Sequence, residues 1–196
     1  MKKTSIIIII ILVFIAVMIL WGVSAYNGLV SSEETVNKQW ANVESQYQRR
    51  ADLIPNLVAT VKGYAEHESS TLESVVAARA RATQVTVDAN SLTPENMQAY
   101  QEAQGELSAA LGRLLMITEN YPDLKANENF KELQAELAGT ENRISVERMR
   151  FNEMAQNYNT SIRRFPKNII ASLFGFKQKP YFASNEGADV APRVEF

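Results

Sequence analysis

From Ile6 to Val23 every residue except Gly22 is apolar, and no charge falls between Lys3 and Glu33. At about 1.5 Å of rise per residue, a helix over residues 6–25 is roughly 30 Å long, the thickness of a bilayer's hydrocarbon layer. The pattern predicts a transmembrane helix, with Trp21 and Tyr26 where interfacial aromatics belong. Beyond it, apolar positions recur at spacings of three and four, the mark of helices with one buried face. A first stripe runs Leu29, Val36, Trp40, Val43, Tyr47, and a second Leu57, Val61, Tyr64, Glu68, Leu72, Val75, Arg79, Ala82. A third runs Met97, Tyr100, Gln104, Leu107, Leu111, Leu114, Thr118, Tyr121 and alternates three and four throughout, the period of coiled-coil packing. The fourth is the longest: Phe130, Leu133, Leu137, Thr140, Ile144, Glu147, Phe151, Met154, Tyr158, Ile162, Phe165.

Punctuation falls between the stripes. Asp52 is placed to cap a helix whose first turn tolerates Pro55. Thr93-Pro94-Glu95 is a start signal after the polar loop Asp88-Ala89-Asn90-Ser91. Pro122 closes the third helix, Asn127 can cap the fourth, and Pro166 marks its end. A helix over 53–87 would outrun its neighbour at 26–50, so it is expected to fray near Thr83. Short connections make consecutive helices antiparallel. The expected fold is therefore all-α: residues 1–5 a short flank, 6–25 a transmembrane anchor, 26–165 an antiparallel up-down-up-down four-helix bundle, and 166–196 a tail.

The competing reading of the apolar run is a cleaved signal peptide, with cleavage after Ala25 in Val23-Ser24-Ala25. The run exceeds the 7–15 residues usual for such a region, which favours a retained anchor. Lys2 and Lys3 flank one side, and Glu33 and Glu34 are the first charges on the other. The positive-inside bias then leaves the N-terminus in the cytoplasm and exports the rest.

Composition removes most chemistry. The chain has 196 residues, no cysteine and one histidine, His67. Disulfides, thiolate metal sites and any site needing two imidazoles are excluded. With 20 Lys+Arg against 22 Asp+Glu, the formal net charge is −2, so no general nucleic-acid binding is expected. His67-Glu68 begins like a zinc-hydrolase helix, but the position of the second histidine holds Thr71. No Gly-x-Ser-x-Gly elbow and no glycine-rich phosphate cradle occurs. No cofactor is implied.

Polar residues on otherwise apolar stripes stand out. Glu68 and Arg79 lie in the second, while Glu141, Arg148, Asn152 and Asn159 recur on one face of the fourth at spacings of 7, 4 and 7. They read as a solvated face, as a ligand or cation site, or as a paired polar layer that fixes helix register; the register role is expected, with Glu68 or Glu141 opposite Arg79 or Arg148. From Met154 to Asn185 there is no acidic residue, whereas Arg163, Arg164, Lys167, Lys177 and Lys179 are basic. Within that stretch Pro166 can open a short helix bearing Ile169, Ile170, Leu173 and Phe174. Basic residues beside bulky apolar ones suit a segment lying in a membrane interface, the competing reading being a cap on the bundle's open end.

Tyr26-Asn27-Gly28-Leu29-Val30 and Arg49-Arg50-Ala51-Asp52-Leu53-Ile54-Pro55-Asn56-Leu57-Val58 resemble the LemA family. Further matching stretches are Val61-Lys62-Gly63-Tyr64-Ala65, Tyr121-Pro122-Asp123-Leu124-Lys125-Ala126, Tyr158-Asn159, and the closing Val194-Glu195-Phe196. The resemblance covers nearly the whole chain after the anchor; Phe151 departs from it, where a tyrosine is expected. It implies a bacterial, membrane-anchored antiparallel helical bundle and implies no enzymatic activity.

Three functions compete. An interaction or scaffold module of the cell envelope would meet membrane lipid and a protein partner, and is compatible with a homo-oligomer. An exocytoplasmic ligand sensor would have to signal through a partner protein. A carboxylate-bridged metal enzyme needs Glu-x-x-His, and Tyr64 stands three residues before His67. The interaction module in the inner membrane is the preferred expectation.

Overall fold

The computed structural model describes residues 3–183, with backbone alone at residues 3–5 and Glu66. All its regular elements are helical: α1 (Lys3–Lys62), α2 (Ser69–Gln84), α3 (Pro94–Thr118), α4 (Pro122–Ala126), α5 (Glu128–Arg163) and α6 (Lys167–Phe174). The closing Val194-Glu195-Phe196 and Asn185 lie outside the described residues.

The first finding corrects an expected boundary. No helix starts at Asp52. Instead α1 runs unbroken for 60 residues, about 90 Å, through Asp52 and Pro55. Asp52 is exposed and accepts a hydrogen bond from Gln48 at 2.8 Å. Proline has no N–H, so Pro55 leaves the carbonyl of Ala51, one turn back, without its helical donor. The Nε of Arg79 on α2 supplies one, donating to the Ala51 oxygen at 2.7 Å. The expected second stripe is thus divided, with Leu57 and Val61 on α1 and Leu72, Val75, Arg79 and Ala82 on α2. The break falls at Gly63-Tyr64, where the Val61 carbonyl accepts from both Tyr64 N and Ala65 N. Helix α2 ends at Gln84, next to Thr83, as its Thr and Val composition led one to expect.

An Arg79→Met exchange should cost about 1–2 kcal/mol, since the orphaned Ala51 carbonyl loses a charged donor. In a Pro55→Ala background the helix satisfies that carbonyl itself. The same exchange should then cost less than about 0.5 kcal/mol, a coupling readable from a double-mutant cycle in urea.

The other signals behave as their chemistry requires. The Thr93 hydroxyl and the Asn96 side chain form a reciprocal capping box at the start of α3, and Pro94 sits at its first position. Asn127 caps α5 by accepting from Phe130 N at 3.0 Å. Pro122, rather than merely ending α3, opens the one-turn α4. Gly175 ends α6 in the left-handed region (φ +76°), and the chain turns there into an extended strap over 176–183.

Helix α1 packs along α5 and also touches α2, while α2 packs on α3; α6 lies against both α1 and α5. Cross-contacts between α1 and α5 include Gln39 to Glu147 (2.6 Å), Arg50 to Glu141 (2.7 Å) and Arg49 to Glu136 (2.5 Å). The core falls into two clusters. One, nearer the apolar run, gathers Trp40, Tyr47, Tyr100, Phe151, Tyr158 and Phe182; the other gathers Ile54, Leu57, Leu72, Leu107, Leu114 and Phe130.

Candidate functional site

Between the two clusters sits a polar layer built on Arg50. Its side chain is 1% exposed. One guanidinium nitrogen donates to Glu141 Oε1 and Ser108 Oγ, each at 2.7 Å. The other donates to the Gln104 side-chain oxygen at 2.7 Å and to the Gln104 carbonyl at 3.2 Å. Gln104 in turn donates to the Ala82 carbonyl at 3.1 Å. One side chain of α1 therefore ties α3, α5 and, through Gln104, the end of α2. The Tyr47 ring lies under the guanidinium at 5.1 Å. Burial pushes the Tyr47 and Tyr100 hydroxyls above the usual phenol range, so both are neutral at physiological pH. A cleft of about 470 Å³ opens beside the layer, lined by Tyr47, Gln101, Glu141, Ser145 and Arg148 among others. Ser108 Oγ accepts from Arg50 and donates to the Gln104 carbonyl at 3.2 Å. Among the described residues no three His, Asp or Glu side chains come together to hold a metal.

The polar residues singled out on the stripes go to separate places. Glu141 pairs with Arg50; Arg79 serves the Ala51 carbonyl; Glu68 accepts from the Tyr121 hydroxyl at 3.1 Å. Among the described residues Glu68 and Glu141 form no ion pair with Arg79 or Arg148.

Asn152, Asn159 and Arg148 instead hold the strap. The Asn159 amide donates to the Lys179 carbonyl (2.8 Å) and accepts from Lys179 N (2.9 Å). Asn152 does the same for Phe182, at 3.0 and 2.8 Å. Seven residues of helix rise about 10.5 Å and three residues of extended chain span about 10 Å, so the two ladders match in pitch. Arg148 donates to the Ala183 carbonyl at 2.9 Å and covers the Phe182 ring at 4.9 Å.

The basic segment also divides. Arg163, Arg164 and Lys177 are exposed and Lys167 is half-buried. Lys179 is not part of that exposed set: it is 5% exposed, 2.9 Å from Glu33, and donates to the Ala89 carbonyl. Glu33, the first acidic residue after the apolar run, draws it inward. On α6, Ala171 faces the core and Ile170 is half-buried, while Ile169, Leu173 and Phe174 are exposed.

The LemA family model matches residues 39–196, from the middle of α1 through every later helix. The chain belongs to the LemA family. Magnetosome protein MamQ of Magnetospirillum gryphiswaldense is 29% identical over 189 residues, covering 86% of this chain and 70% of that protein. Magnetosome protein MamQ 2 of Paramagnetospirillum magneticum is 28% identical, over 84% of this chain and 66% of its own length. Protein LemA of Metamycoplasma hominis is 22% identical, over 82% and 69%. The chain thus spans about two thirds of the length of these relatives.

Within the LemA match, the residue that sequence reasoning missed is Arg50. A signal for it existed. Position 50 continues the 36–40–43–47 stripe at a spacing of three, and the stripe resumes at Ile54 and Leu57. Expecting a break at Asp52 ended the stripe one step too soon.

Proposed function

We propose that this protein is a non-enzymatic, single-pass scaffold of the bacterial cell envelope that holds helix faces at a set height above the inner membrane for a partner protein. One observation carries the reading: the apolar run and the core-lining stripe belong to a single unbroken helix, α1. Its portion beyond Ala25 reaches about 55 Å. A linker at the membrane surface would let the domain swivel, whereas a continuous helix couples its orientation to the anchor. The pairs Gln39–Glu147, Arg50–Glu141 and Arg49–Glu136 run in opposite senses along α1 and α5. They support the antiparallel up-down-up-down arrangement of a four-helix bundle. Both terminal nitrogens of Arg50 are spent on Glu141, Ser108 and Gln104, ties between helices that support a structural role for the layer. This favours the scaffold.

Crosslinking of the full chain in living cells, followed by mass spectrometry, tests the role. Repeated recovery of the same protein partner supports it; recovery of lipid alone overturns it. The orientation proposed here, with Lys2 and Lys3 in the cytoplasm, rests on the positive-inside bias. The chain lacks cysteine, and Ser91 is exposed in the turn before α3. A Ser91→Cys variant should therefore react with a membrane-impermeant thiol reagent in intact cells. Reaction only after lysis reverses the topology.

A further inference from the structure

We infer that α6, with the end of α5, is a second membrane contact: an interfacial helix lying in the headgroup layer of the anionic bilayer that α1 crosses. The inference rests on the anchor reading above and adds where, and through which residues, the domain itself meets lipid.

Position comes first. The Cδ1 atom of Ile170 lies 3.8 Å from the place a Cβ would take on Gly22. The Tyr26 ring is 4.8 Å from Phe174 and 5.7 Å from Phe176, centre to centre. Helix α6 is therefore packed on α1 at residues 22–26, where the apolar run ends. If residues 6–25 occupy the hydrocarbon layer, α6 lies at its edge.

The exposed face then has the composition of that layer. Phe165 is 80% exposed, Ile169 55%, Leu173 74% and Phe174 58%. Ile169 and Leu173, four apart within α6, share one stripe, and Phe165 stands in the turn that leads into the helix. Elsewhere beyond the apolar run, the large exposed apolar residues, such as Val76, Met116 and Met149, belong to different helices. Around the stripe stand Arg163, Arg164, Lys167 and Lys177, none of them in an ion pair among the described residues. No acidic residue occurs from Met154 to Asn185 to offset them. An amphipathic helix with bulky apolar residues on one side and unpaired cations at its ends suits an anionic interface. A capping role is already filled by other residues of α6, Ile170 and Ala171, which point inward.

The test uses the full chain, which has no cysteine of its own. Single nitroxide labels are placed by Ile169→Cys and Leu173→Cys, with Ile15→Cys as the anchor reference and Met149→Cys as the aqueous reference. Power saturation in phosphatidylglycerol-containing liposomes then compares collision with oxygen and with a nickel chelate. The labels at 169 and 173 should read between the two references, with nickel accessibility reduced at least about twofold from that at 149. Replacing the anionic lipid by a zwitterionic one, or Arg163, Arg164, Lys167 and Lys177 by Gln, should return them toward the aqueous value. If 169 and 173 match 149 while 15 reads as hydrocarbon, the interfacial helix is wrong and the anchor stands. If 15 also reads as aqueous, the anchor reading fails and this inference falls with it. Shielding from both agents together with dipolar broadening, relieved by diluting with unlabelled protein, would assign the stripe to a second copy instead of lipid.

Discussion

Replacing Arg50 by alanine is expected to lower the unfolding free energy by about 3–5 kcal/mol, the cost of breaking a buried, multiply bonded ion pair. The loss has three sources. The Gln104 side-chain oxygen and Ser108 lose their donor inside the bundle, the Glu141 carboxylate loses its counter-ion, and the methylenes leave a hole beneath Tyr47. The converse change is informative because the exposures of the partners differ. Glu141 is 40% exposed and can be solvated on its own, whereas the Arg50 cation is sealed. Glu141→Ala should therefore also be strongly destabilising, since it strands a buried charge among neutral acceptors. Arg50→Met should cost much less than Arg50→Ala, because it fills the space without a charge. Arg49→Ala, which breaks an exposed pair with Glu136 one residue away, should stay within about 0.5 kcal/mol. Urea titrations of the full chain in detergent read all four. If Arg50→Ala lies within about 1 kcal/mol of the unaltered protein, the layer does not hold the helices together.

How far the fold was legible depends on how local each signal is. The stripe of α3 could be read residue by residue, because periodicity is a property of consecutive side chains, and Met97 through Thr118 are buried as spaced. That of α5 was read less completely: Leu133, Glu147 and Met154 are only half-buried, and Phe165, past the end of the helix, is 80% exposed. The Thr93 box and the Asn127 cap were equally readable, each closing within three residues. Pro55 misled, because whether proline ends a helix depends on what satisfies the carbonyl it orphans. Here that is Arg79, 28 positions beyond Ala51. Once a new helix was expected to begin at Asp52, the first stripe was read only as far as Tyr47, and Arg50 was left off it. Asn152 and Asn159 showed their common face through a spacing of seven, yet the strap they bind has no periodicity of its own. Lys179 was grouped with the interfacial cations by composition; only the fold brings it to Glu33.

The strap gives the other large expected effect. Phe182→Ala should destabilise the protein by about 3–5 kcal/mol, the range for removing a buried aromatic side chain. Phe182 is stacked on Trp40 at 5.7 Å with 15° between the rings, and meets Phe151 edge-on at 5.3 Å. The exchange leaves its backbone N–H and carbonyl on Asn152, so the ladder alone would have to keep 176–183 in place. Each net hydrogen bond contributes only about 1 kcal/mol against the entropy of fixing an extended segment, so the ladder without the ring is not expected to suffice. Water should then reach Trp40, and its emission should shift to longer wavelength in a Trp21→Phe background that leaves it the single tryptophan. Trypsin cleavage after Lys177, exposed at the head of the strap, should accelerate in parallel. Phe182→Leu, which keeps an apolar filler, should cost less than Phe182→Ala and leave cleavage slow. Unchanged emission and unchanged cleavage in Phe182→Ala would show that the asparagine ladder alone holds the strap, and that the aromatic cluster closes without it.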